Sequence, residues 1–144
     1  MSPLPIVIKT AADATLNLAP VYPEWVIEGK PVSYNALLAV SRDRTQRTMA
    51  WECTPGRFKW DYTEDETVYI IKGEVFITQD GSERRLGAGD IAFFPAGTTC
   101  LWRVTETVRK VAFLRKDLPR PVGFSVRVYN KMLRMTGIRR DAPL

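Results

Sequence analysis

Hydrophobic and polar positions alternate in short runs through most of the chain. Phe58, Trp60 and Tyr62 alternate with charged residues, which is the pattern of a strand with one face turned inward. Similar runs predict strands over residues 32–40, 45–53, 58–62, 66–72, 74–79, 82–86, 90–95, 99–104 and 107–114. The turn Gln79–Ser82 contains Asp-Gly, and we expect the chain to reverse again at Gly73. Short, evenly spaced strands indicate an all-β sandwich or barrel.

The first 31 residues break this pattern because they are rich in proline. Proline lacks an N–H and is excluded from central strands, so residues 1–31 are predicted to form an extended arm laid over the barrel. We expect Tyr22, Trp25 and Ile27 to be buried beneath it and Ile6–Ile8 to form a short strand. The arm could equally cross to a second subunit.

The last residues follow a helical period instead. Apolar residues between Val126 and Met135 recur on one side, with Ser125 as the expected N-cap and Gly137 just past the end. The predicted organisation is therefore an arm (1–31), a barrel (32–116), and an amphipathic helix with a basic tail (117–144). The apolar face of the helix should pack on the barrel or against a partner subunit.

Composition narrows the class of protein. A chain of 144 residues is the size of one domain. No apolar run approaches the roughly 18 residues of a membrane span, and the first residues lack a basic, secretory-type start. Cys53 and Cys100 do not make a disulfide framework, so a cytoplasmic location is expected.

The net charge of +5 is concentrated at the C-terminal end. Residues 117–144 contain six basic residues and two acidic ones. A basic tail of this kind could contact nucleic acid or an acidic partner. A solvated helix face explains it more simply, so we do not expect nucleic-acid binding.

Two motifs in the central region resemble those of the cupin superfamily, a double-stranded β-helix (jelly-roll) barrel. Gly89, Pro95 and Gly97 match the second cupin motif in spacing, and Cys100 stands where a histidine is expected. Glu66 and Gly73 match the end of the first motif. Its two histidine positions fall to Trp60 and Tyr62, or to Tyr62 and Glu64, depending on the register. The chain contains no histidine at all.

The wider pattern from Trp51 to Lys110 looks like the ureidoglycine aminohydrolase-type cupin branch. The resemblance places Trp60, Tyr62, Glu66 and Cys100 inside the barrel, with Trp102 on the same face as Cys100. Cupins of this kind are expected to form homodimers and to hold a metal ion with imidazoles. Without imidazoles, Glu66 and Cys100 fall short of the three protein ligands typical of a catalytic zinc site, so no metal or other cofactor is expected.

These residues admit two interpretations. Trp60, Tyr62 and Trp102 could form the aromatic walls of a small-molecule pocket with Glu66 as its anion, or they could simply fill the core. Desolvation should raise the pKa of Glu66 unless a cation lies close, which would make it an acid–base candidate or an anchor for a cationic or ureido-like ligand. Cys100 lacks a histidine to activate it and is expected to act as a small apolar residue.

The sequence therefore predicts a metal-independent cupin-fold protein that binds a small polar metabolite. The first alternative, implied by the resemblance, is an enzyme that acts on a C–N bond of a small ureide. The second is an interaction module that uses the basic tail. The sequence does not decide whether there is catalytic turnover.

Overall fold

The computed structural model describes residues 4–139 and 142–143, and within them antiparallel strands form one curled sheet. Parts of the predicted arm and tail, namely residues 1–3, Arg140, Asp141 and Leu144, lie outside the described residues. The strands are β1 Asn17–Leu18, β2 Val26–Gly29, β3 Ser33–Val40, β4 Gln46–Cys53, β5 Gly56–Asp61, β6 Asp65–Gln79, β7 Ser82–Gly87, β8 Ile91–Phe94 and β9 Thr99–Arg115. A 3₁₀ helix covers Pro23–Trp25, and α1 covers Arg120–Met135. The predicted β architecture with a C-terminal helix is confirmed.

Strand β9 connects the whole sheet. The order of hydrogen-bonded strands is β1-β3-β4-β9-β5-β2, and β6 pairs with β7, β8 and β9. The first part of β9 pairs with β5 and its second part with β4, while β6 runs alongside both parts. The sheet therefore curls around a space that is lined by alternate residues of each strand.

Gly73 is a bulge and not a reversal, so the predicted break at this position is wrong. Strand β6 continues through it, and the pairing of β6 with β9 shifts register between Ile70 and Val75. Gly73 has φ +86°, and a Cβ at this position would lie 2.1 Å from the carbonyl oxygen of Thr107. Only glycine fits such a bulge, which bends the strand and lets it serve both parts of the sheet.

The hairpin between β6 and β7 is confirmed. Asp80 and Gly81 both have positive φ, 50° and 76°. Positive φ at both central residues matches the twist of the two flanking strands, which is why Asp-Gly is favoured in such turns.

The N-terminal arm supplies β1 and β2, the strands at the two ends of the series β1-β3-β4-β9-β5-β2. Arg109 fixes its first part, because the guanidinium donates to the carbonyl oxygens of Ala11 (3.1 Å) and Ala14 (2.7 Å). This buried side chain ties together segments that are 95 or more residues apart in sequence.

Of the three residues expected to be buried beneath the arm, only one is even partly buried. Trp25 is half-buried, whereas Tyr22 and Ile27 are 59% and 52% exposed, so their predicted burial is wrong. Val21 is buried instead. The 3₁₀ turn and the pairing of β2 with β5 set which side chains face inward. No strand forms at Ile6–Ile8, which is also a correction.

Helix α1 begins six residues before the predicted start. Pro119 is the N-cap and Pro121 lies in the first turn, where a missing N–H leaves no hydrogen bond unmade. Ser125 is therefore inside the helix, and its hydroxyl donates to the carbonyl of Pro121. No residue of α1 is buried, so the structure does not show the expected packing on the barrel. Neither helix of the described chain is long and apolar enough to cross a membrane.

Candidate functional site

A cavity of about 570 Å³ opens between the arm and the concave side of the sheet. Its walls come from the arm and from strands β3, β4, β5, β6 and β9, together with the loop after β5. The lining residues are Ala19, Pro20, Val21, Tyr22, Trp25, Asn35, Arg47, Met49, Trp51, Trp60, Asp61, Tyr62, Thr63, Glu64, Glu66, Lys110, Ala112 and Leu114. A mostly apolar lining with a few polar groups is typical of a small-molecule site.

A buried ion pair lies in this cavity wall. The Lys110 ammonium donates to Glu66 Oε1 at 2.7 Å, and the two side chains are only 5% and 7% exposed. Lys110 Nζ also lies 4.7 Å from the ring centres of Trp51 and Trp102. The ammonium thus contacts one carboxylate and two aromatic faces.

The partner of Glu66 is the main residue that the sequence interpretation missed. Lys110 lies between Val108 and Ala112 on β9, both inward-facing and buried. Side chains two residues apart share a face of a strand, so a lysine in that row was the signal of an interior cation. The expectation for Glu66 allowed for a nearby cation, and Lys110 is that cation.

Aromatic rings form a continuous wall beside the pair. Tyr22 and Trp25 meet edge to face at 4.9 Å, Trp25 and Trp60 at 5.2 Å, and Trp60 and Trp51 at 6.0 Å. Trp51 continues the series to Trp102 at 5.6 Å. Such contacts hold the rings in fixed orientations and keep large apolar surfaces available to a ligand.

Tyr62 closes the cavity on another side. Its ring stacks on Phe94, with centroids 4.5 Å apart and planes 9° apart, and its hydroxyl accepts a hydrogen bond from Trp102 Nε1 at 3.0 Å. Burial raises the pKa of Tyr62 well above its ordinary value. Burial also raises the pKa of Cys100 to about 11. Both groups are therefore neutral near pH 7.

The five predicted site residues do not all line the same space. Trp60, Tyr62 and Glu66 line the cavity described above. Trp102 is fully buried behind it, where it contacts Lys110 and Tyr62. Cys100 faces a second cavity of about 580 Å³, which is also lined by Phe94.

The open question of Trp60 and Glu64 has a simple answer, because both line the cavity. Trp60 does so from β5, and Glu64 from the loop before β6. Glu64 is ion-paired with Arg47 of β4.

The donor groups present do not fit a metal ion. Within residues 4–139 and 142–143, no three His, Cys, Asp or Glu side chains come together as a metal site would need. The Glu66 carboxylate is bonded to an ammonium, and the Cys100 thiol and Tyr62 phenol hold their protons near pH 7. A metal ion at Glu66 would therefore compete with the Lys110 ammonium for the carboxylate, and Cys100 and Tyr62 would offer no second anionic ligand.

The curled sheet and its inward-facing cavity define a cupin-type double-stranded β-helix. Residues 40–112 match the family model described as an EutQ-like cupin domain. That match spans half of the chain, and the chain belongs to this family. The finer resemblance to the ureidoglycine aminohydrolase-type branch stays a prediction.

Solved structures support the fold. A protein of unknown function from Pseudomonas syringae pv. tomato is 27% identical with a TM-score of 0.65, covering 71% of this chain and 45% of that one. The Clostridium difficile EutQ protein is 23% identical (TM-score 0.54; 60% of this chain, 69% of that one). A predicted oxalate decarboxylase from Thermotoga maritima is 18% identical (TM-score 0.60; 78% and 99%). The last two show similarity of fold alone. A search of curated proteins finds no match.

Proposed function

We propose that this protein binds a small polar metabolite in the cavity beside the Glu66–Lys110 pair, without a metal ion. The observation that carries the proposal is a buried carboxylate in the wall of a cavity of about 570 Å³. Most small-molecule sites have roughly 300–1,000 Å³ and few polar groups, so the size and composition support a guest of metabolite size.

The predicted residues have different proposed roles. Trp60 and Tyr62 contact the apolar part of the ligand, and Glu66 accepts a hydrogen bond from its polar part. Trp102 acts from behind by holding Lys110 and the Tyr62 hydroxyl in place. Cys100 supports the stacked Tyr62 and Phe94 rings from the side of the second cavity.

The donor chemistry supports metal independence. Lys110 neutralises Glu66, which is the role that a divalent cation has in many carboxylate sites. We propose that ligand binding survives complete removal of metal ions. Elemental analysis of the purified protein should find less than one metal ion per chain, and stoichiometric metal removable by a chelator would refute this part.

Native mass spectrometry and ligand screening test the binding function. We expect a small organic adduct, or a ligand found by thermal-shift screening, to bind the wild type and to bind Glu66→Gln more weakly. Glu106→Gln is the matched control, because it makes the same change at an exposed position. Equal binding to wild type and Glu66→Gln would contradict the proposed role of Glu66.

The alternative enzyme acting on a ureide C–N bond rests on the family resemblance. No group of described residues favours it, because the donors in the cavity do not fit the metal that such an enzyme is expected to use. Ammonia release from ureides, measured with and without added manganese, is the direct test. Activity lost in Glu66→Gln would replace the binding proposal with this one.

A further inference from the structure

Every charged side chain that lines the cavity already has a partner of opposite charge. The pairs are Glu66–Lys110, Arg47–Glu64 and Asp61–Lys59. An ion brought into a buried site without a counter-ion loses its hydration and gains little in return, whereas a neutral polar group loses much less. At the buried Glu66–Lys110 pair, the balanced charges therefore oppose an ionic ligand.

One of the two Glu66 carboxylate oxygens remains unused. Glu66 Oε1 receives its hydrogen bond from Lys110, and no described residue donates to Oε2. Among the described residues, no side-chain oxygen or nitrogen that is sealed from solvent lacks a partner. Oε2 therefore reaches the cavity. Because a carboxylate oxygen only accepts hydrogen bonds, it needs an N–H or O–H group from the guest.

Lys110 does not offer a matching site for an anion. Its ammonium donates to Glu66 and lies 4.7 Å from the ring centres of Trp51 and Trp102. A ligand carboxylate would have to displace one of these partners to reach the ammonium. A ligand ammonium bound at Oε2 would in turn lie close to the Lys110 charge, and the two cations would repel each other.

We propose that the cavity selects an electroneutral ligand that donates an N–H or O–H hydrogen bond to Glu66 Oε2, such as a carboxamide or an alcohol with a compact apolar body. The inference rests on the proposed binding function and goes further by naming the charge and the hydrogen-bonding character of the guest. Amines and carboxylates of the same shape are rejected by the charges that surround the site.

Three probes of nearly equal shape test this selectivity: phenylacetamide (neutral), phenethylamine (cationic) and phenylacetate (anionic). Binding to the wild type is measured by isothermal titration calorimetry near pH 7. We expect phenylacetamide to bind about tenfold or more tightly than either ion, because the ions enter a site without a free counter-charge. A wild type that prefers either ion overturns the inference.

Two variants change the charge balance in opposite directions. Glu66→Gln leaves Lys110 uncompensated, so its preference should shift to phenylacetate. Lys110→Met leaves Glu66 uncompensated, so its preference should shift to phenethylamine. Glu106→Gln, an exposed control with the same charge change as Glu66→Gln, should keep the wild-type order.

The outcomes separate the two proposals. If the probes bind but charge does not order them, or if the folded variants keep the wild-type order, the inference fails and the binding function stands. If no probe binds the wild type or any folded variant, the cavity does not accept guests of this size and the proposed function fails. Circular dichroism establishes which variants are folded, and the wild-type order alone decides the inference if a variant is not.

Discussion

Replacing Glu66 with glutamine removes the counter-ion of a lysine that is almost entirely inside the protein. The side chains of Lys110 and Glu66 are 5% and 7% exposed and 2.7 Å apart. Breaking a buried ion pair by removing one partner typically costs about 3–5 kcal/mol, because the remaining charge is buried alone. Glu66→Gln should therefore lower the free energy of unfolding of this protein strongly.

The two single variants should differ in a definite direction. In Glu66→Gln, Lys110 keeps its contacts with Trp51 and Trp102, each worth roughly 1 kcal/mol, and the new amide oxygen can still accept its hydrogen bond. We expect a loss near 3 kcal/mol. In Lys110→Met the carboxylate loses its only ion-pair partner in the described chain, so the loss should approach 5 kcal/mol.

Urea denaturation of the two single variants and the double variant gives the coupling directly. The double variant should cost no more than Lys110→Met alone, because it leaves no buried charge. At roughly 3–4 °C per kcal/mol for a chain of this size, Glu66→Gln should lower Tm by about 10 °C. Glu83→Gln is the control, because it breaks the exposed pair with Arg103 and should change Tm little. Strictly additive effects, or single losses below about 1 kcal/mol, would refute the description of a coupled buried pair.

Further predictions concern the cysteines, the helix and the bulge. Burial raises the pKa of Cys100 to about 11 and that of Cys53 to about 12, from an ordinary 9.0. The stability that comes from burying the two neutral thiols is complete below pH 9 and is lost as pH rises through 11–12. Urea titrations from pH 8 to 11 should therefore show a smaller loss in the free energy of unfolding for Cys100→Ala than for the wild type. Because the apolar face of α1 is exposed, we expect this helix to pack against the same helix of a second chain. Light scattering should give twice the 16.4 kDa chain mass for the full chain and the mass of a monomer after deletion of residues 117–144. A monomer at full length would contradict this. Gly73→Ala should destabilise the protein by about 3 kcal/mol or more, because the new Cβ would lie 2.1 Å from the Thr107 carbonyl oxygen. Urea denaturation measures this loss, and a value below about 1 kcal/mol would argue against a tight bulge.

The local chemistry of the fold was readable from the sequence because it depends on neighbouring residues. Alternation located the strands, and Asp80-Gly81 located the hairpin. One feature with a long-range cause was not readable. Gly73 was interpreted as a chain reversal. Its actual role, a bulge within β6, could not be predicted because it depends on the register with β9, a strand that starts 26 residues later. The start of α1 was placed too late for a local reason: the prediction began the helix at Val126, although the first turn of a helix accepts a proline such as Pro121.

In the candidate site, too, some features were predictable from the sequence and others were not. The resemblance to the cupin motifs predicted an interior position for Trp60, Tyr62 and Glu66, and the structure brings these three residues to one cavity. The ion pair was not predictable from spacing, because Lys110 is 44 residues from Glu66 and its approach depends on how the sheet curls. Alternation along β9 did mark Lys110 as inward-facing, and an interior lysine requires an acidic partner.

A crystal structure of the protein purified with a chelator, with anomalous data to detect metals, tests the central claim most directly. We predict an organic guest in the cavity with a donor group on Glu66 Oε2, Lys110 still bonded to Glu66 Oε1, and no anomalous peak. A metal ion on Glu66 with Lys110 displaced, or side chains that fill the cavity, would contradict the account.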